Sequence, residues 1–205
     1  MKKIMFNDKF GLTQAVLEGR KTMTRRIIKC PRTFRGEWVA GFNIHRRHSD
    51  KKIVDWPCMY DADEREFDMG EILPKYELGE VVSIAQSYDS FYDDSCDPHI
   101  FPNGVGWTNK MFVKADLMPH HIEITGIKVE RLQDISDEDC MKEGIIHAYT
   151  DNNGIKIYHT PNEKKGYLST DVAQEAFAYL IDKVSGKGTW DNNPYVFAYE
   201  FKLVD

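Results

Sequence analysis

Hydrophobic and polar residues alternate most clearly near the C-terminus of the chain. From Tyr195 to Leu203, every second side chain is aromatic or aliphatic, which is the period of a β-strand with one buried face. Residues 121–132 alternate over a similar length, and Ile122 and Ile124 are expected to point inward. The pattern predicts two long strands in the C-terminal half of the chain.

The N-terminal residues predict a strand, a helix and a second strand. Residues 3–6 are suited to a short strand. Asn7 or Asp8 can cap the helix that follows, and Gly19 would end it in the left-handed conformation. The next strand is predicted over residues 22–28, with alternate side chains on opposite faces.

Capping residues and helical spacing predict two further helices. Ser136, with Asp139 three residues later, resembles a capping box, and Gly144 would end this helix. Residues 171–184 place apolar side chains at helical spacing. A shorter strand is predicted over residues 81–86.

Two segments between these elements are irregular. Residues 30–76 contain two candidate hairpin strands, 38–44 and 52–59, and resemble an insertion on a core. Residues 88–118 mix aromatic residues with Asp, Pro and Gly, which is typical of a substrate loop or a lid. The whole pattern predicts a single α+β, mainly β domain over residues 1–205. Its expected form is a mixed, mostly antiparallel β-barrel with a few short helices and an inserted hairpin.

Charge is distributed unevenly along the chain of 205 residues. The net charge is −6, but residues 1–52 contain 14 Lys and Arg against 4 Asp and Glu, and residues 53–205 contain 13 against 29. This asymmetry suggests a surface that faces a polyanion. A hydrophobic content of 41% argues against disorder, and the lack of a long apolar run argues against a membrane protein.

The N-terminus and the cysteines indicate a reducing compartment. The basic residues Lys2 and Lys3 are not followed by the apolar core of a signal peptide, so a cytoplasmic location is expected. The 4 cysteines are scattered without a Cys-x-x-Cys pair. They are therefore expected to be free thiols.

One set of four residues has ligand types suited to zinc. It comprises Cys30, His45, His48 and Cys58. Their spacing is irregular, and a His-x-x-His segment with two arginines inside it is more typical of an exposed turn, so no metal site is predicted. His120 and His121 are a weaker pair, because adjacent strand residues point to opposite faces.

Three segments resemble signatures of the ASCH domain, the activating signal cointegrator homology domain. Residues 18–26, Glu-Gly-Arg-Lys-Thr-Met-Thr-Arg-Arg, look like the family's opening motif. Residues 124–145 are similar to its central strand and helix, and residues 188–197 resemble its closing segment in bacterial and phage-encoded members. The three segments follow the family's order and bracket almost the whole chain. Residues 30–76 and 88–118 match poorly and resemble member-specific elaborations.

The resemblance implies a fold and an activity. The fold would be the barrel of pseudouridine synthases and archaeosine transglycosylases (PUA-like), with a cleft that binds RNA or a modified nucleoside. Small bacterial members hydrolyse the amide of acetylated cytidine, and their motif implies three catalytic residues here. These are Thr24 as nucleophile, Lys21 as base and Glu143 as assisting acid. No cofactor and no obligate protein partner are predicted.

The chemistry of these residues suits such a role under one condition. A threonine hydroxyl becomes nucleophilic when a base removes its proton, and neighbouring cations favour the neutral amine of Lys21. Lys21 and Thr24 are three residues apart, so they share a site only if Lys21 lies in the turn before the strand. Otherwise the basic run is a solvated face, Thr24 is an ordinary strand residue and Glu143 is a helix-end carboxylate.

Basic and aromatic residues supply candidate contacts to RNA. The candidate phosphate ligands are Arg20, Arg25, Arg26, Lys29, Arg32 and Arg35. The candidate base-stacking residues are Tyr88, Tyr92, Trp107 and Trp190, with core packing as the alternative for Trp190. Two function classes stay open: an amidohydrolase and a non-catalytic RNA-binding module that uses the same cleft. A nuclease-like activity on RNA is less favoured, because the sequence shows no clear histidine pair or metal cluster.

Overall fold

The computed structural model describes residues 1–49, 52–93, 100–101, 104–161 and 168–204, and for residues 46–49 and 52–55 the main chain alone. The fold is mixed α+β and mainly β, as the sequence predicts, and its helices are few and short. The strands in chain order are β1 (Lys3–Ile4), β2 (Met23–Ile27), β3 (Thr33–Phe34), β4 (Glu37–Trp38), β5 (Gly41–Ser49), β6 (Lys52–Tyr60), β7 (Glu66–Glu71), β8 (Val81–Ile84), β9 (His121–Arg131), β10 (Ile146–Thr150), β11 (Lys156–His159), β12 (Ser169–Thr170) and β13 (Tyr195–Leu203). The helices are α1 (Leu12–Leu17), α2 (Asp137–Lys142), α3 (Ala173–Ser185) and α4 (Thr189–Asn192).

Five strands form the central sheet, in the order β1-β8-β9-β13-β2. β1 and β8 are parallel, and the other neighbours are antiparallel. The two longest stretches of alternation in the sequence are β9 and β13, and these strands lie side by side with a partner on either side. Ile122 and Ile124 are fully buried, as their spacing predicts.

The predicted closed barrel is not formed. Among the described strands, β1 and β2 are the edges of the central sheet, with one partner each. β1 has only two residues and therefore offers too few backbone groups for a second ladder. Where closure would require a ladder, the Arg26 guanidinium of β2 donates a hydrogen bond of 2.6 Å to the carbonyl of Met5, directly after β1.

The inserted hairpin is present; β6 agrees with its predicted bounds to within one residue, whereas β5 begins and ends later than predicted. β5 and β6 pair in antiparallel register over their whole length, and β7 adds a third strand. This sheet packs against one end of β13, where the rings of Phe42 and Tyr195 lie 6.0 Å apart and those of Trp56 and Phe197 lie 6.1 Å apart. The insertion is thus joined to the main core through aromatic contacts.

The short helices depend on caps that the sequence predicts in part. The Ser136 hydroxyl accepts a hydrogen bond of 3.1 Å from the Asp139 amide and so begins α2. Asn7 instead caps a 3₁₀ turn, and Gly11, with a φ of +65°, separates this turn from α1. None of the helices in the described ranges has both the length and the apolar character needed to cross a bilayer.

Candidate functional site

A cavity of about 790 Å³ lies along β2. Residues 24–29 line it consecutively. Consecutive strand residues point to opposite faces, so the cavity extends around the edge of β2 that has no partner strand in the described part of the chain. Lys21, Thr24 and Glu143, which the sequence predicts to act together, all line this cavity, beside the buried ring of Phe177.

Lys21 lies before β2, where its predicted role requires it. The strand begins at Met23, and the Lys21 amide donates a hydrogen bond of 2.9 Å to the carbonyl of Ala15, which ties the turn to α1. The Lys21 side chain is 2% exposed. Its ammonium group donates to the Met23 carbonyl at 2.7 Å, to the Glu143 carbonyl at 2.8 Å and to the Glu143 carboxylate at 2.5 Å. Three acceptors thus match its three hydrogens.

Glu143 reaches Lys21 from the C-terminal end of α2. The next residue, Gly144, has a φ of +108°, a conformation that glycine adopts without strain. A Cβ at this position would lie 3.3 Å from a methyl carbon of Leu12. The Glu143 Oε2 accepts from Lys21, and its Oε1 accepts from Arg25 at 3.2 Å. The two cations offset the unfavourable position of a carboxylate at a helix C-terminus.

Arg25 is surrounded by carboxylates, in contrast to the prediction that it contacts phosphate. Its side chain is 1% exposed, and its guanidinium nitrogens lie within 3.2 Å of oxygens of Glu130, Asp139 and Glu143. Ala198 of β13 lies opposite Arg25 in register, and its small side chain leaves room for the arginine to reach Glu130 on β9. Arg25 is therefore part of an internal ion cluster.

The environment of Lys21 favours a neutral amine more than water does. Burial lowers the pKa of Lys21, and the charges of Arg26 and Arg25 act in the same direction. The Glu143 carboxylate acts in the opposite direction but does not cancel the effect of burial, so the pKa lies below its ordinary value. A lowered pKa is the property that a lysine needs to act as a general base.

Thr24 faces the cavity from the first half of β2. It lies opposite Tyr199 of β13 in register, so the two side chains share one face of the sheet. Thr24 is 6% exposed. No hydrogen bond to another described residue engages its hydroxyl, which leaves the group available to a bound molecule.

Tyr88 and Trp107, predicted to stack on RNA bases, lie away from this cavity. Tyr88 is 1% exposed, and its ring centroid lies 5.1 Å from that of Phe101 and 6.0 Å from that of Trp107. The Tyr88 hydroxyl accepts a hydrogen bond of 2.9 Å from the Lys114 amide, and Tyr92 packs on Trp107. Tyr88 is therefore buried in a second small core, against which the partly buried Trp107 packs.

The described part of the predicted loop 88–118 consists of short 3₁₀ turns around this second core. Residues 94–99 and 102–103 of the same loop lie outside the described residues. The described portion contains no residue that lines the cavity along β2.

Trp190 also lies outside the cavity and braces two helices. Its ring packs edge-on against Phe177, with 6.1 Å between the centroids. Its amide donates a hydrogen bond of 2.9 Å to the Asp182 carboxylate, which joins α4 to α3. Of the two roles considered for Trp190, its position fits core packing.

The remaining candidate phosphate ligands differ in position. Arg26 and Lys29 are exposed and line the cavity. Those that lie outside it are Arg20, Arg32 and Arg35. Arg20 instead pairs with Glu18 at 2.5 Å. Lys3 and Lys75, which sequence reasoning misses, also line the cavity.

The four residues considered as zinc ligands do not form a metal site in the part of the chain that the structure describes. His45 pairs with Glu66, Cys30 is exposed and Cys58 is half-buried. The side chain of His48 lies outside the described residues. In the ranges that the structure describes, no group of three or more His, Cys, Asp or Glu residues is arranged to hold a metal ion.

Sequence reasoning also misses the carboxylates that hold Arg25. Glu130 lies on β9 and Asp139 on α2, and Lys128 binds both, at 3.0 and 2.8 Å. The sequence does contain a signal for Glu130. Lys128 and Glu130 are two residues apart, so both side chains lie on the same face of a strand. Nothing in the sequence pairs this face with Arg25, because β13 lies between them.

Asp139→Asn is expected to lower stability at neutral pH but not in strong acid. Burial alone would raise the pKa of Asp139, but hydrogen bonds from Lys128 and Arg25 outweigh it and hold the pKa below its ordinary value of 3.8. The folded state therefore binds fewer protons than the unfolded state, so this contribution is present above pH 3.8 and lost as pH falls through the folded pKa.

Urea unfolding of both proteins at pH 7, 5 and 3 measures this contribution. The variant is expected to be about 2 kcal/mol less stable at pH 7, with a smaller deficit at pH 3. Asp137→Asn, which changes an exposed carboxylate on the same helix, is the matched control. A deficit that stays constant across this range would contradict the assignment.

The site rests on two segments that are distant in sequence. One is the turn and strand at residues 21–29, and the other is the end of α2 at Glu143. Comparisons of the chain with protein-family models, with curated proteins and with solved structures found no match.

Proposed function

We propose that the chain is an ASCH-type protein of the PUA-like superfamily whose cavity along β2 hydrolyses the amide of an acylated cytidine. The observation that carries the proposal is the convergence of Lys21, Thr24 and Glu143 on one cavity, from a turn, a strand and a helix end. The cavity volume of about 790 Å³ lies in the range of small-molecule sites. The resemblance of residues 18–26 to the family motif supplies the reaction class.

The walls of the cavity suit a base that carries an acyl group. Phe197, Tyr199 and Tyr76 line it together with aliphatic side chains of α3. Tyr76 and Tyr199 form an edge-on pair with 5.4 Å between their centroids. Such surfaces pack against planar rings and exclude water.

The buried Lys21–Glu143 pair supplies both proton-transfer groups. A proton passes from Lys21 to Glu143, which leaves a neutral amine and a protonated carboxyl. The amine takes the proton of the Thr24 hydroxyl while its oxygen attacks the amide carbonyl carbon. The carbon–nitrogen bond then breaks, and the Glu143 proton passes to the nitrogen of the departing cytidine. Lys21 and Glu143 are again charged, and Thr24 carries the acyl group as an ester.

The second half of the reaction releases the acyl group. Water attacks the ester carbon, and Glu143 accepts a proton from it. The bond to the Thr24 oxygen breaks as Lys21 returns a proton to that oxygen. The carboxylic acid leaves and loses its proton to solvent, and proton transfer from Glu143 to Lys21 restores the ion pair. Each turnover thus consumes one water molecule and needs no cofactor.

A non-catalytic RNA-binding module is the second candidate. The observation that favours it is the set of three acceptors around the Lys21 ammonium group. These hydrogen bonds stabilise the charged form, in which lysine has no lone pair to accept a proton. In that case Lys21 and Glu143 hold the cavity open without chemistry.

Chromatography of acetylated cytidine incubated with the protein separates the two candidates. The proposal expects free cytidine to appear with the wild type and with Arg20→Ala, which removes a neighbouring cation outside the cavity. Lys21→Ala is expected to release none above the uncatalysed rate. No cytidine from the wild type, or equal release by Lys21→Ala, would remove the amidohydrolase and leave the binding module.

A further inference from the structure

Cations line the cavity beyond those used in the proposed hydrolysis. The lysines and arginines along it are Lys3, Lys21, Arg25, Arg26, Lys29 and Lys75. Glu143 is the single acidic residue among the described lining residues. A cavity with this composition is suited to a ligand that carries negative charge.

The six cations fall into an inner pair and an outer group. The inner pair, Lys21 and Arg25, is neutralised by the carboxylates of the internal ion cluster. The outer group consists of Lys3, Arg26, Lys29 and Lys75. No described carboxylate lies within ion-pair distance of the outer group, so its charge has no internal partner in the part of the chain described.

Lys3, Arg26 and Lys75 line the cavity together with Tyr76. Burial lowers the pKa of Lys3, and the positive charge of Lys75 lowers it further. Burial raises the pKa of Tyr76, and the foremost opposing influence is the charge of Arg26. The Lys75 ammonium lies 5.2 Å from the centre of the Tyr76 ring, and the Tyr76 hydroxyl donates a hydrogen bond of 2.9 Å to the Lys3 carbonyl, so Lys3 and Lys75 both border this tyrosine.

The side chains of the outer group differ in how many of their hydrogen-bond donors are already used within the protein. The Lys3 ammonium donates to the carbonyls of Met111 and Val113 at 2.8 and 2.6 Å, which holds it on the protein. Arg26 uses one nitrogen for the Met5 carbonyl and keeps further donors, since a guanidinium has five. Lys29 and Lys75 are exposed, and their ammonium groups make no hydrogen bond to the described residues.

We propose that Arg26, Lys29 and Lys75 form a phosphate subsite at the mouth of the cavity, so that the substrate is a phosphorylated cytidine rather than the free nucleoside. The inference rests on the proposed function for the identity of the base. Phosphate oxygens accept short, strong hydrogen bonds from arginine and lysine. Arginine adds a planar fork that holds two oxygens at once.

Calorimetric binding of ligands without an acyl group tests the subsite independently of hydrolysis. The probes are cytidine, cytidine 5′-monophosphate, cytidine 3′-monophosphate and the dinucleotide of two cytidines. At low salt, at least one phosphorylated probe is expected to bind about 10- to 100-fold more tightly than cytidine, the effect of one or two hydrogen bonds to a charged group. Salt is expected to reduce this preference.

Substitutions test which residues cause the preference for phosphorylated probes. The double variant Arg26→Gln, Lys29→Gln is expected to bind phosphorylated probes no more than about threefold more tightly than cytidine, since it removes the charged donors. Arg32→Gln removes an exposed cation outside the cavity and is expected to keep the preference. Equal affinity of the wild type for cytidine and all three phosphorylated probes would overturn the subsite. So would a preference that survives in the double variant.

The remaining outcomes identify the source of the phosphate and separate the two proposals. Preference for the 5′- or the 3′-monophosphate indicates a free nucleotide, and stronger binding of the dinucleotide indicates RNA. A phosphate preference without hydrolysis of acetylated cytidine removes the enzyme and supports the subsite. Hydrolysis without a phosphate preference keeps the enzyme and overturns the subsite.

Discussion

Arg25→Met is expected to destabilise the protein by about 3–5 kcal/mol, the usual cost of removing one partner from a buried ion cluster. The guanidinium contacts three carboxylates, from β9, from α2 and from the residue that follows α2, and its side chain is 1% exposed. Methionine keeps much of the volume but leaves Glu130, Asp139 and Glu143 with less compensating charge. Urea unfolding at pH 7 measures the difference.

Arg20→Met is the matched control for this substitution. Arg20 belongs to the same basic run but is 46% exposed and pairs with a single, exposed glutamate, so the loss should be about 1 kcal/mol or less. Arg25→Lys is expected to be intermediate, because an ammonium group lacks the fork that reaches several carboxylates. Equal destabilisation by Arg20→Met and Arg25→Met would show that the cluster contributes nothing specific.

Thr24→Val is expected to reduce hydrolysis of acylated cytidine by about 10³-fold or more, with little change in stability. The substitution removes the attacking oxygen, and losses of this order follow the removal of an enzyme's nucleophile. Valine preserves the branched shape, and no described residue hydrogen-bonds the Thr24 hydroxyl, so no internal partner is lost. The initial rate of cytidine release, compared with a thermal melt, distinguishes lost chemistry from lost folding.

Two further variants sharpen this experiment. Thr22→Val changes the residue two positions earlier, which does not line the cavity, and should leave the rate near that of the wild type. Thr24→Ser keeps a hydroxyl and should retain measurable hydrolysis. If Thr24→Val releases cytidine at the wild-type rate, the nucleophile is another group and the proposed mechanism is wrong.

Strands of the central sheet could be predicted from the sequence where hydrophobic and polar side chains alternate, because one face of such a strand packs on the core. β13 occupies the predicted bounds, and β9 differs from its prediction by one residue. Both strands lie inside the central sheet, and apolar side chains of each pack into the main core. β10 could not be found in this way, because all five of its residues are exposed and its sequence carries no alternation between faces.

The prediction of a closed barrel was wrong for a reason that lies outside the strand pattern. Alternation predicts which residues form strands, but closure depends on whether the first and last edges have enough length to pair. β1 has two residues, and the Arg26 side chain of β2 hydrogen-bonds to the carbonyl of Met5, just after β1. The length of β1 is set by Asn7 and Gly11, which turn the chain away into α1.

The candidate site could be predicted to the extent that its residues share a motif. The motif places Lys21 and Thr24 together, and the structure fulfils the condition that Lys21 precede β2. The neighbouring Arg25 was predicted on the same reasoning to contact phosphate, yet its side chain is directed into the carboxylate cluster. Charge alone does not distinguish a cation that binds ligand from one that compensates buried carboxylates. That distinction depends on Glu130 and Asp139, more than 100 residues away in the sequence.

The positions of the aromatic residues Tyr88 and Trp107 could not be predicted from the sequence. Tyr88 and Trp107 lie in a segment without clear periodicity, and such segments are often exposed. Here the described aromatic rings pack on one another and on Val113 and Met118. A cluster of this kind leaves no periodic signal, because its members are brought together by turns rather than by one regular element.

One edge of β2 has no partner strand in the described part of the chain, and this edge also affects how separate molecules of the protein meet. An edge strand without a partner presents backbone groups that can pair with a strand of another molecule, which is a common route to aggregation. Along this edge, the exposed charges of Arg26 and Lys29 would be brought against the same charges of an approaching copy. The cations that we propose to bind phosphate are therefore also expected to oppose pairing between identical chains, and a bound anion would weaken that repulsion.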